Sequence, residues 1–111
     1  MTKLTYKTLD GKTLATGILG QDVLIVEGYH YFKREAVDLT STLKEEKAYH
    51  CPIKNSDCDY YFLLDENSEK EGQEIAWIYP TINNSLFEKI AGMVGFYSYS
   101  RENLDLIKEE V

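Results

Sequence analysis

The stretch HCPIKNSDC, His50 to Cys58, gathers both cysteines of the 111-residue chain, one of its two histidines and Asp57, with Asp59 directly after it. Thiol, imidazole and carboxylate are the groups that ligate transition metals and serve as nucleophiles and bases. Structural zinc takes four ligands, usually delivered as close pairs such as Cys-x-x-Cys. Here six residues separate Cys51 from Cys58, and the neighbours His50 and Cys51 point to opposite faces of any extended strand. No metal site and no cofactor is expected from that spacing. Cys51 is the candidate nucleophile: Pro52 holds it extended, and Lys54 lies close enough within a turn to favour a thiolate. The plainer reading is a buried cysteine at a turn, and no histidine is assigned as its base. Asp57 and Asp59 share one strand face, an arrangement able to hold a divalent ion. No phosphate-cradling loop precedes them and no third carboxylate accompanies them.

The elements that must position these groups read as β-structure. Nine tyrosines, four phenylalanines and one tryptophan suit pleated, half-buried surfaces. Leu4–Lys7 and Thr13–Thr16 flank Asp10-Gly11, a strong hairpin signal. Val23–Glu27 and Tyr29–Lys33 are separated only by Gly28, which implies a tight bend or bulge. Asp59–Leu64 and Glu74–Tyr79 make the clearest pair, joined by the polar loop DENSEKEGQ. Alternation puts Ile75, Trp77 and Tyr79 on one face of the second run and Ala76 and Ile78 on the other, the pattern of a central strand. Ser85 and Glu88 have the spacing of a capping box ahead of Leu86, Phe87 and Ile90, so one short helix is expected near residues 85–91. Met93–Tyr97 returns to strand, and Asn103–Glu110 is open between strand and helix.

Bulk properties narrow the function classes. The length and 43% hydrophobic content describe one domain, residues 1–111, with no Pro- or Gly-rich linker and no internal repeat. A formal net charge of −7 argues against a partner bound through its phosphate backbone, so no nucleic acid is expected. No apolar run approaches bilayer length, no membrane partner is expected, and the N-terminal stretch MTKLTYKTLDGKT lacks the apolar core of a secretory signal. The expected compartment is the cytoplasm, where both cysteines would be thiols.

The order of the pieces is Gly11–Ala15, Val23–Glu27, Tyr31–Val37, the Cys-Pro-x-Lys turn Cys51–Lys54, the Ala-Trp-x-Tyr-Pro run Ala76–Pro80 and the closing Val94–Tyr97. This order resembles the bacterial domain-of-unknown-function family 427, sometimes labelled nucleotidyltransferase-like, over about residues 11 to 98. The resemblance implies an all-β, mainly antiparallel fold, a compact β-tent or partly open barrel. That fold is similar to the one used by B-type methionine sulfoxide reductases and small zinc-binding chaperone-like proteins. It brings no established activity. Where the family usually has Gly after the lysine, this chain has Asn55, the side chain that best tolerates a left-handed turn. Lys33 replaces the usual Pro before Arg34, and the second proline after Pro80 is missing.

Arg34, Lys54, Trp77 and Tyr79 fall on matched positions and combine cations with aromatic rings. Together they form a candidate pocket for a small anionic molecule, a guanidinium or ammonium taking the anion and a ring stacking on it. The structural alternative makes Trp77 and Phe96 core residues and pairs Arg34 with Glu35 on the surface. A non-catalytic interaction or scaffold module and a Cys51-dependent enzyme are the competing functions.

Overall fold

The computed structural model describes residues 1–111 and contains nine strands: β1 (Thr2–Thr8), β2 (Thr13–Ile18), β3 (Val23–Val26), β4 (Tyr29–Phe32), β5 (Thr42–Cys51), β6 (Ser56–Leu64), β7 (Lys70–Ile78), β8 (Val94–Phe96) and β9 (Leu104–Glu110). All strand pairs are antiparallel. They build a three-stranded sheet of order β2-β1-β9 and a six-stranded sheet of order β3-β4-β8-β7-β6-β5. The two sheets do not close into a barrel. The all-β expectation therefore holds in open, two-sheet form.

Local chemistry fixes the turns. Gly11 closes the β1–β2 connection at φ +94°. Glu27 and Gly28 both have positive φ, 54° and 83°, so β3 and β4 are joined by a two-residue turn of the mirror-image kind that matches strand twist. Asn55 sits at φ 47° after Lys54 and reverses the chain between β5 and β6, the role its side chain suits.

The expected helix at residues 85–91 is reduced to a single 3₁₀ turn, Glu88–Ile90. Ser85 does not cap it; instead Asn84 Oδ1 accepts the Leu86 N–H at 3.0 Å. A stretch of about two turns cannot repay helix nucleation by itself, and only Ile90 of this 3₁₀ turn is buried. The open segment at the C-terminal end is strand β9, paired along its length with β1.

The larger sheet is covered on both faces. Between the sheets lie Leu4, Tyr6, Leu14, Phe32, Ile78, Val94, Phe96 and Leu104, all buried, with Tyr6 stacked on Phe96 at 4.4 Å between centroids. On the opposite face Tyr31, Cys51, Cys58, Trp77, Tyr79, Ile82 and Ile90 form a second cluster beneath the chain that follows β7. β7 is central, as its two apolar faces require. Ile75 departs from simple alternation: it packs with Ala76 and Ile78 between the sheets, not with Trp77 and Tyr79. The pairing of β6 with β7 jumps from Tyr61↔Ala76 to Leu63↔Glu71, and extra residues in one strand rotate the side chains that follow.

Candidate functional site

The second cluster borders an open-mouthed cavity of about 330 Å³ on the outer face of the six-stranded sheet. Its walls come from period-2 pairs: Tyr29 and Tyr31 on β4, Tyr49 and Cys51 on β5, Cys58 and Tyr60 on β6, and Trp77 with Tyr79 at the end of β7. Tyr97, just past β8, and Ile53 complete the wall. Trp77 is the hub. Its rings stand edge-to-face with Tyr29 at 5.1 Å, Tyr97 at 5.0 Å and Tyr31 at 6.2 Å, and its Nε1–H donates to Tyr31 Oη at 3.1 Å. Such perpendicular pairs are the favoured aromatic geometry.

Lys54 supplies the cavity's cation. Only 3% of the residue is exposed, and its Nζ pairs with Glu27 Oε1 from the β3–β4 turn. The ammonium also lies 4.6 Å from the Phe87 ring centroid, 5.3 Å from that of Tyr79 and 3.9 Å from Cys51 Sγ. Its backbone N–H points at the same sulfur at 3.5 Å. The two charges of the pair differ in setting: the lysine side chain is 4% exposed and the glutamate side chain 39%. The cation is fixed in the floor and its counter-ion hangs at the rim.

The surroundings keep other groups neutral. Burial pushes the Tyr31 hydroxyl up to about 12, and the like charge of Glu27 adds to that. Burial likewise pushes the Cys58 thiol and the Tyr60 hydroxyl up to about 12, and raises Tyr79 strongly. Within such a lining, the Lys54–Glu27 pair is the chief electrostatic feature a ligand would meet.

Of the residues singled out in the sequence, Lys54, Trp77, Tyr79 and Cys51 come together in this cavity and Arg34 does not. Arg34 is exposed in a 3₁₀ turn, Arg34–Ala36, where its Nη1 donates to Val37 O at 2.8 Å and closes that turn. It forms no ion pair with Glu35. Cys51 is 7% exposed and has no imidazole beside it. The His50 ring pairs with Asp57 at 2.9 Å on the opposite face of the hairpin, and His30 Nδ1 lies 2.8 Å from Tyr6 Oη. Asp57 and Asp59 share that opposite face, as their spacing implies, and help line a separate cavity of about 480 Å³ whose other walls are polar side chains and Pro80. Asp59 accepts the Lys47 N–H at 3.0 Å and faces Lys44 at 3.8 Å. No group of three or more His, Cys, Asp or Glu residues is arranged to hold a metal ion.

Residues 8–109 match the family model described as Domain of unknown function (DUF427). The chain belongs to this family. Every residue lining the aromatic cavity, from Glu27 to Tyr97, lies within the matched region. Comparison with curated proteins and with solved structures gives no match. No helix is long and apolar enough to cross a membrane.

The residues missed in the sequence are the remaining walls: Glu27, Tyr29, Tyr31, Tyr49, Ile53, Cys58, Tyr60 and Tyr97. A signal for most of them exists. Four strand segments each carry an aromatic or thiol at i and i+2: Tyr29 and Tyr31, Tyr49 and Cys51, Cys58 and Tyr60, and Trp77 and Tyr79.

Proposed function

We propose that this family member binds a small planar molecule bearing an anionic group, with the rings of Trp77 and Tyr79 against its face and Lys54 on its charge. The observation that carries the reading is the buried Lys54 ammonium whose counter-ion is a rim glutamate. An entering carboxylate or phosphate can take the place of Glu27 on Nζ, and the displaced side chain, already 39% exposed, passes to water. A cation held in a low-dielectric lining discriminates strongly between a charged ligand and its neutral isostere, because only the former replaces the pairing that desolvation demands. The cavity volume lies at the lower end of small-molecule sites, which fits a one- or two-ring ligand. Arg34 takes no part.

Trp77 is the sole tryptophan, so its fluorescence reports on the cavity alone. Matched pairs of planar acids and amides, benzoate against benzamide and nicotinate against nicotinamide, are titrated while its emission is followed. Saturable quenching is expected for at least one acid, with the amide at least tenfold weaker and the difference abolished in Lys54→Met. Equal responses to acid and amide in the native protein would remove Lys54 as the anchor. The interaction-module alternative would show no saturable change with any of the four.

A further inference from the structure

We propose that Cys51 and Cys58 form a two-coordinate thiolate site for a soft monovalent metal ion of the copper(I) class. The inference goes beyond the anionic-ligand reading and does not depend on it. The two residues lie on adjacent strands, with Cys51 opposite Ser56 and Tyr49 opposite Cys58. They are therefore diagonal neighbours on one face of the hairpin. Both are free thiols, both are buried, and both line the same cavity. What the linear sequence separates, the Pro52–Asn55 turn brings together.

The geometry decides between the things two thiols can do. Diagonal cross-strand neighbours stand about 7–8 Å apart, beyond the Cα separation of up to about 6.8 Å that a disulfide tolerates. A bridging ion adds two metal–sulfur bonds, each about 2.3 Å for a comparable thiolate, and so reaches across a wider gap than a disulfide does. The donor set decides between ions. Zinc needs four ligands, and His50 and Asp57, the nearest other donors in sequence, lie on the opposite face of the hairpin. The rest of the lining is aromatic, aliphatic or the Lys54–Glu27 pair. Two sulfurs in an apolar setting suit a soft ion content with low coordination.

Charge supports the same choice. Binding follows M⁺ + 2 RSH → M(SR)₂⁻ + 2 H⁺, with both protons released to solvent, so the complex carries one negative charge into a buried site. Lys54 answers it: Nζ stands 3.9 Å from Cys51 Sγ and the Lys54 N–H 3.5 Å from the same atom. A divalent ion on the same pair would leave a neutral complex beside a cation with nothing gained from it.

The test is anaerobic titration of the full chain with copper(I) delivered from its bicinchoninate complex, whose colour reports transfer. The native protein is expected to withdraw one equivalent per chain, and Cys51→Ser and Cys58→Ser each to lose at least a hundredfold in affinity. Failure to withdraw copper(I), or full retention in either variant, overturns the site. If a serine variant does not fold, X-ray absorption on the native complex decides instead. Two sulfur neighbours and no nitrogen are expected, whereas a mixed sulfur–nitrogen shell would overturn the assignment. Copper(I) withdrawal and the preference for acid over amide are read on separate samples of the native protein, so failure of one proposal is distinguishable from failure of the other.

Discussion

Gly95 lies on β8 opposite Trp77 on β7, and it is the place where the cavity's aromatic hub is most easily disturbed. A Cβ at this position would stand 2.4 Å from Trp77 Nε1, 2.6 Å from Cε2 and 2.9 Å from Tyr31 Cε1. Ordinary van der Waals contact begins near 3.4 Å. In Gly95→Ala the indole must therefore withdraw by about 1 Å, and it is hemmed by Tyr29, Tyr31 and Tyr97. Inserting a methyl into such packing costs about 1–3 kcal/mol. Loss of the Nε1–H to Tyr31 Oη bond adds about 1 kcal/mol. With a urea slope of about 1–3 kcal/mol/M, the unfolding midpoint should fall by roughly 1–4 M. Urea unfolding followed by far-UV circular dichroism measures the midpoint, and Trp77 emission measures the displaced indole directly. A native midpoint with native emission would show that the rings are not packed on Gly95 as described, and the cavity walls would have to be redrawn.

Other perturbations follow from single features. Asn55 holds φ 47° at the turn after Lys54; Asn55→Ala should cost about 1–2 kcal/mol because a Cβ is strained there, while Asn55→Gly should stay within a few tenths. Equal melting temperatures for the two variants would contradict the left-handed turn. His30 is buried beside Tyr6, and burial first, then the like charge of Lys108, holds its pKa below the ordinary 6.5. The unfolded chain binds that proton more readily, so the His30 contribution is fully present above about pH 6.5 and is lost as pH falls toward the folded value. The difference in urea stability between native protein and His30→Asn should shrink from pH 7.5 to pH 5; a constant difference would refute the assignment.

Much of the fold was legible because its signals are local. Asp10-Gly11, Gly28 and Asn55 each name a backbone conformation that few residues adopt, and each turn is where those residues place it. The two-faced apolar pattern of β7 identified a central strand. β5 was missed for the opposite reason: TLKEEKAYHC is a charged edge strand, exposed except at its ends. Its Lys and Glu residues guard an open edge and mask the alternation. β9 stayed undecided because its partner β1 lies at the far end of the chain, beyond any local pattern. The capping-box spacing at Ser85 misled because the segment is too short to pay for a helix and has a competing Asn84 turn.

Matched motif positions group Lys54, Trp77 and Tyr79 in the sequence, and the three residues line one cavity in the structure. Arg34 was grouped with them by the same matching, yet β4 and its 3₁₀ turn carry it away to cap Val37. Glu27 was invisible as a site residue, since nothing in the sequence says that a turn glutamate reaches a lysine 27 positions later.

The central claim is that Lys54 receives an anion that Glu27 otherwise supplies. Its most direct test is to measure the affinity of the best acid from the matched pairs in native protein, Glu27→Gln and Lys54→Met, together with the melting temperature of each with and without that acid. Glu27→Gln should melt below the native protein when empty, because the buried ammonium has lost its partner. It should bind the acid roughly tenfold more tightly, about 1.4 kcal/mol, and regain stability on binding, whereas Lys54→Met should not respond. Weaker acid binding in Glu27→Gln than in the native protein, or an undiminished response in Lys54→Met, would contradict the displacement of Glu27 and with it the proposed function.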